Sequence, residues 1–126
     1  LFARVEQFAP EHPALGRLFA TLNGVFLTQR AKDLAEAAGM RRGVLDLWLP
    51  VARAGYHGLA MDIKSRTGRP PRDQLEWARW LSQDGWLVSF PGSSREAWRT
   101  ICCYLDIAGK AHSAPDWWPR DEMENQ

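Results

Sequence analysis

The sequence predicts an α/β fold in which a central mixed β-sheet is flanked by helices. Three observations lead there. Segments of helical and strand period follow one another along the chain. Two strand-like runs stand next to each other in the middle, so a hairpin interrupts the alternation of strand and helix. The chain has 126 residues, 45% hydrophobic and 25% charged, which is enough apolar material for one core in one globular domain. The predicted order is helix, strand, helix, strand, strand, helix, strand, helix. A hairpin set among crossovers gives a mixed rather than an all-parallel sheet.

Leu1 to Ala9 reads as a helix stopped by Pro10. Leu18 to Leu22 is a short apolar strand followed by the turn pair Asn23-Gly24. Thr28 caps a helix to Ala38, in which Ala31, Leu34, Ala35 and Ala38 fall at helical spacing and Gly39 is the stop. Arg41-Arg42-Gly43 is a basic turn. Val44 to Leu49 then alternates, with Leu45, Leu47 and Leu49 on one face and Val44, Asp46 and Trp48 on the other. Gly58 to Ser65 sets Leu59, Met61 and Ile63 against Ala60, Asp62 and Lys64. The loop from Pro50 to His57 joins these runs as an antiparallel pair.

Pro71 suits the first turn of a helix that ends at Asp84 before Gly85, and Trp77, Trp80 and Leu81 are expected in the core. Trp86 to Phe90 is the last strand. Ser93 and Glu96 form a capping box for a helix to about Ile107. Residues 1–108 are the expected domain, and 109–126 a polar tail whose Trp117-Trp118 pair would cover a neighbouring surface or a partner subunit.

Charge and cysteine usage narrow the partners. The net charge is only +1, but ten basic residues face four acidic ones between Arg17 and Arg72, whereas the stretch from Asp106 onward has five acids and two bases. A basic body with an acidic tail suits a polyanionic partner. Cys102 and Cys103 are adjacent, a strained arrangement for a disulfide, and nothing completes a zinc set, so both are expected as thiols in a reducing compartment. No apolar run approaches the roughly 20 residues of a membrane span, and the opening stretch has no secretory cleavage pattern. The sequence opens on Leu1 rather than Met, so residues upstream are expected.

The hairpin carries the candidate chemistry. Asp62 and Lys64 are two apart on a strand and share a face, with the Ile63 carbonyl between them; Asp46 on the neighbouring strand can project beside Asp62. Two carboxylates and a carbonyl are hard oxygen donors that suit Mg²⁺ or Mn²⁺. A lysine beside such a cation can hold an attacking water and balance phosphate charge. Both acids stand in runs that otherwise look buried, where an unpaired charge is costly. Arg66, Arg69 and Arg72 follow directly, and Arg41, Arg42 and Arg53 are further candidates for phosphate contacts. Trp48 shares the Asp46 face, where it either packs or stacks on a base.

The blocks Arg42-Gly-Val-Leu-Asp-Leu-Trp-Leu-Pro50, Gly55-Tyr-His-Gly-Leu-Ala-Met-Asp-Ile-Lys64 and Gly68 to Trp77, with Asn23-Gly24 ahead of them, resemble the VRR-NUC domain, a branch of the PD-(D/E)xK nucleases. The likeness runs from about Leu18 to Leu105. It implies a restriction-endonuclease-like core and hydrolysis of DNA with Mg²⁺ or Mn²⁺. By the same resemblance Asp46 is the first metal-binding aspartate, Asp62 the second acid, Lys64 the catalytic lysine and Gln74 the glutamine that orders the site. Stand-alone members are homodimers of bacterial or phage origin acting on branched DNA such as four-way junctions, which implies a cytoplasmic setting.

The sequence departs from the family pattern at Leu45, where proline is usual, and at Asp62, where glutamate is commoner. For the acid that the family often places on its first helix, Glu6 and Glu11 are the candidates within the chain, the other source being upstream of Leu1. Two alternatives stay open: a DNA-binding module with impaired catalysis, and a sequence-specific restriction-type endonuclease of the same superfamily.

Overall fold

The computed structural model describes residues 1–21, 28–64 and 68–107. The expected Asn23-Gly24 turn, Arg66 and the 109–126 tail lie outside the described residues. The elements are α1 (Phe2–Phe8), a 3₁₀ turn at Pro13–Arg17, β1 (Phe19–Ala20), α2 (Gln29–Ala37), β2 (Leu47–Leu49), β3 (Leu59–Met61), α3 (Arg72–Gln83), β4 (Leu87–Ser89) and α4 (Ser94–Leu105). This is the predicted order with shorter strands. The sheet order is β1-β2-β3-β4. β1 and β3 both pair antiparallel with β2, and β4 pairs parallel with β3, so the sheet is mixed as expected. The parallel pair needs a crossover, and α3 supplies it.

Local signals account for the helix ends. Thr28 Oγ1 accepts from the Ala31 N–H, and Ser93 Oγ from the Glu96 N–H. Glu96 returns its carboxylate to the Gly92 N–H, one residue ahead of the Ser93 cap. Gly85 ends the α3 region with φ +85, a left-handed geometry open to glycine without strain.

Strand alternation divides the interior into two layers. Leu47, Leu49, Leu59, Met61 and Leu87 point to one side, where α1 and α4 cover them with Val5, Trp98, Ile101 and Tyr104. Phe8 stacks on Trp98 at 5.5 Å, and the Tyr104 hydroxyl donates to the Val51 carbonyl, satisfying a buried polar group. On the other side Ala60, Leu45 and Leu81 form a smaller cluster against Trp48, Trp77, Trp86, Val88 and Phe90. Gly58 belongs there because a Cβ at that position would lie 2.4 Å from the Trp86 ring.

Two expectations are corrected. Leu45 does not share the layer of Leu47 and Leu49: regular pairing starts only at Leu47, and the bend at Asp46 turns Leu45 into the α3 layer. Trp80 is not core. It remains 47% exposed, resting edge-on against half-buried Trp77, because the buried stripe of α3 passes through Gln74 and Leu81 instead. Cys102 is buried and Cys103 half-buried, both as thiols. Among the described residues, no helix is long and apolar enough to cross a membrane.

Candidate active site

The site forms at one end of the sheet, where β2 begins and β3 ends. The turn ahead of β2 is fixed on α3. Gly43, with φ +80, passes so close to Asp73 that a Cβ would sit 2.7 Å from its backbone carbon, and the Trp77 indole N–H donates to the Arg42 carbonyl at 3.1 Å. Three further donors hold the next residues. Thr21 N–H bonds the Asp46 carbonyl at 2.7 Å, while Thr21 Oγ1 and Trp48 Nε1 both reach the Leu45 carbonyl. The Asp46 backbone is therefore clamped between β1 and α3 before its side chain enters the site.

Register does the rest. Leu47 pairs with Met61, so one step further along Asp46 stands opposite Asp62, the closest relation available to side chains on neighbouring strands. Beyond β3 the main chain keeps to β4: the Asp62 N–H donates to Ser89 at 3.1 Å and the Lys64 N–H to Pro91 at 2.8 Å. The N–H and C=O of one strand residue point the same way, and successive residues point opposite ways. The Ile63 carbonyl is thus turned from β4 toward the strand that carries Asp46.

Asp62 is 2% exposed and is met from two sides. Lys64 Nζ lies 3.4 Å from its Oδ1, and Gln74 Nε2 donates to its Oδ2. Such partners make a buried carboxylate tolerable. Asp46 is half-buried and its pKa is raised. Burial is the main cause, followed by the charge of Asp62 and a hydrogen bond between the two carboxyl groups; Lys64 acts in the opposite direction. Two acids thus crowd one place with a single lysine between them and charge balance.

A divalent cation fits these donors. The carboxyl groups of Asp46 and Asp62 lie together, and Gln74 Oε1 is a buried acceptor without a partner beside Asp62. The fit is incomplete in one respect. Among the described residues, no three acidic, histidine or cysteine side chains come together as a metal-binding group, so neither Glu6 nor Glu11 supplies the expected first-helix acid. Glu6 is exposed on α1, and Glu11 lines a cavity of about 360 Å³ with Arg17, Arg53 and Leu105 at the other end of the sheet.

The arginines separate in the same way. Arg72 opens α3 two residues before Gln74, and exposed Arg69 precedes it, so both stand at the carboxylate end. Arg41 is exposed beside the turn that leads to Asp46. Arg42 is engaged by Glu36 at 2.8 Å, which also raises its pKa. Arg53 lies past the far end of β2, in a two-residue hairpin turn closed by reciprocal bonds with Tyr56. His57 is at that far end too, with its ring against Gly85. Trp48 packs edge-on against Trp86 at 5.3 Å. Sequence reasoning did not find Thr21 and Gly43, which position Asp46. The available signal was the glycine closing the Arg41-Arg42-Gly43 turn, three residues before the aspartate.

No protein-family model and no curated protein matches the sequence. The described residues form an α/β domain, with an acidic pair and a lysine at one end of a mixed sheet. A solved structure described as a VRR_NUC domain protein superposes on the chain with a TM-score of 0.64 and 20% identity, covering 83% of this chain and 84% of that one. The chain has the fold of a VRR_NUC domain.

Proposed function

We propose that this chain is a nuclease of the PD-(D/E)xK type that hydrolyses phosphodiester bonds in DNA with Mg²⁺ or Mn²⁺. The observation that carries the reading is the placement of Asp46 opposite Asp62, with Lys64 on Asp62, in a VRR_NUC fold. Asp46, Asp62 and the Ile63 carbonyl would hold the cation. When bound, it would supply a Lewis acid for the phosphate oxygens and make a nearby water more acidic. Lys64 Nζ holds the attacking water and balances phosphate charge. Gln74 keeps Asp62 from rotating out of register. Branched DNA, four-way junctions included, is the substrate favoured by the sequence resemblance, with a homodimer as the acting species and the cytoplasm of a bacterium or an infected host as its setting.

The test is direct. The protein is supplied with Mg²⁺ or Mn²⁺ and offered junction, flap and linear DNA. Cleavage of branched substrates, absent in EDTA, is expected. Failure to cut any of them with either metal would remove the enzyme reading. Discrete fragments from plasmid DNA would instead indicate base readout of the restriction type.

One observation favours a second reading, a DNA-binding module with impaired catalysis: the acidic group counts two members among the described residues rather than three. Calorimetric titration separates the two. Tight divalent binding that Asp46→Ala abolishes supports the nuclease, whereas DNA binding without metal binding supports the module.

A further inference from the structure

We infer that the DNA backbone lies along the outer ridge of α3, and that Arg79, not Arg53, is its distal contact. The inference rests on the nuclease reading for the identity of the ligand. Arg72 and Arg79 are seven residues apart on one helix, so they project within about 20° of each other and stand about 10.5 Å apart along its axis. That separation is about three base-pair steps of duplex DNA, which carries a phosphate on each strand every ~3.4 Å of axis. Arg69 lies three residues before Arg72, ahead of the helix end where Gln74 touches Asp62.

The three guanidinium groups are exposed, and among the described residues none of them is in an ion pair. They are charges that the fold itself does not use. Glu76 is the acid nearest the line, four residues after Arg72, and Asp73 lies on the flank toward Trp80; with Arg69 counted, the ridge remains net positive. The inner face of the same helix buries Gln74 and Leu81. A strand following this ridge therefore meets the carboxylate end through Arg72 and Arg69. Arg53, by contrast, stands beyond the opposite end of β2, in the cavity it shares with Glu11.

The experiment measures salt-dependent binding of a metal-free Lys64→Ala protein to a 20-base-pair duplex. Arg79→Ala is expected to lower the slope of log affinity against log salt by about 1 and to weaken binding roughly 3–10-fold near 0.1 M salt. Arg79→Lys should restore the slope, and Glu76→Gln should tighten binding about twofold. Arg53→Ala should leave slope and affinity unchanged. A wild-type slope in Arg79→Ala, or a loss in Arg53→Ala as large as in Arg79→Ala, overturns the inference. The nuclease reading fails separately: it falls if the wild-type protein cuts nothing, whatever the binding slopes show.

Discussion

The two faces of the sheet solve opposite problems. The α1/α4 face is filled by apolar side chains: Trp98, Ile101, Leu49, Leu59 and Met61 are all but fully buried, and Tyr104 brings one hydroxyl that finds a carbonyl. The α3 face has a smaller apolar cluster and gives up part of its buried space to Asp62 and Gln74. Burial of apolar surface stabilises at roughly 25 cal/mol per Å², while a buried carboxylate only approaches neutrality when its partners are well placed. One face holds the domain together; the other holds charge in place at the expense of stability. The difference shows why one extended segment can serve both purposes: alternation sends Met61, the last residue of β3, and Asp62, the residue after it, to different layers.

That comparison can be broken by mutation. The largest effect is expected at Lys64. Lys64→Ala should reduce DNA cleavage at least about 1,000-fold, equivalent to about 4 kcal/mol of barrier, and spare DNA binding, as measured by single-turnover cleavage alongside anisotropy. Next is the opposite face. Trp98→Ala removes the largest fully buried side chain and should cost about 3–5 kcal/mol in urea unfolding, because the cavity left behind adds to the lost transfer energy.

A third change should raise stability while ending activity. The carboxyl of Asp46 binds its proton more tightly in the folded protein than in the unfolded chain. Its contribution to stability is therefore present at pH values below the unfolded pKa and is lost as pH rises through the raised folded one. Asp46→Asn should melt higher than the wild type at neutral pH in EDTA, by a few degrees, and the gap should close on acidification. A lower melting temperature for Asp46→Asn at neutral pH would show that the two acids do not oppose each other. The smallest effect lies far from the site. Ala54 has φ +53 in the two-residue turn between Arg53 and Tyr56, a geometry that suits asparagine or glycine. Ala54→Asn should stabilise by about 0.5–1 kcal/mol without altering cleavage, measured by urea unfolding and the same cleavage assay.

Much of this was legible in the sequence because the signals were local. Ser93 with Glu96, Pro71 and Gly85 mark helix limits within a few residues of themselves. Strand alternation put Asp62 and Lys64 on one face. What resisted reading depended on distant groups. Leu45 looked like a member of the Leu47 layer because alternation assumes a straight strand, and nothing local announces that Thr21 and α3 bend the chain there. Trp80 looked like core since its spacing from Trp77 is helical, but three neighbours on a helix do not say which of them faces the sheet. Six arginines look alike as phosphate contacts in the sequence; the fold sets Arg53 at the end of the sheet away from Asp46 and Asp62, and pairs Arg42 with Glu36. The first-helix acid could be neither placed nor dismissed from spacing, because its partners are strands far along the chain.

The amides of Asp62 and Lys64, both donated to the β4 side of the sheet, have a practical consequence. They sit inside the proposed site yet report on backbone pairing alone, so their rates of deuterium uptake form a built-in gauge of whether a substitution has disturbed the scaffold or only the chemistry. A dead variant in which those two positions exchange as slowly as in the parent has lost a functional group; one in which they exchange fast has lost the seam between two strands.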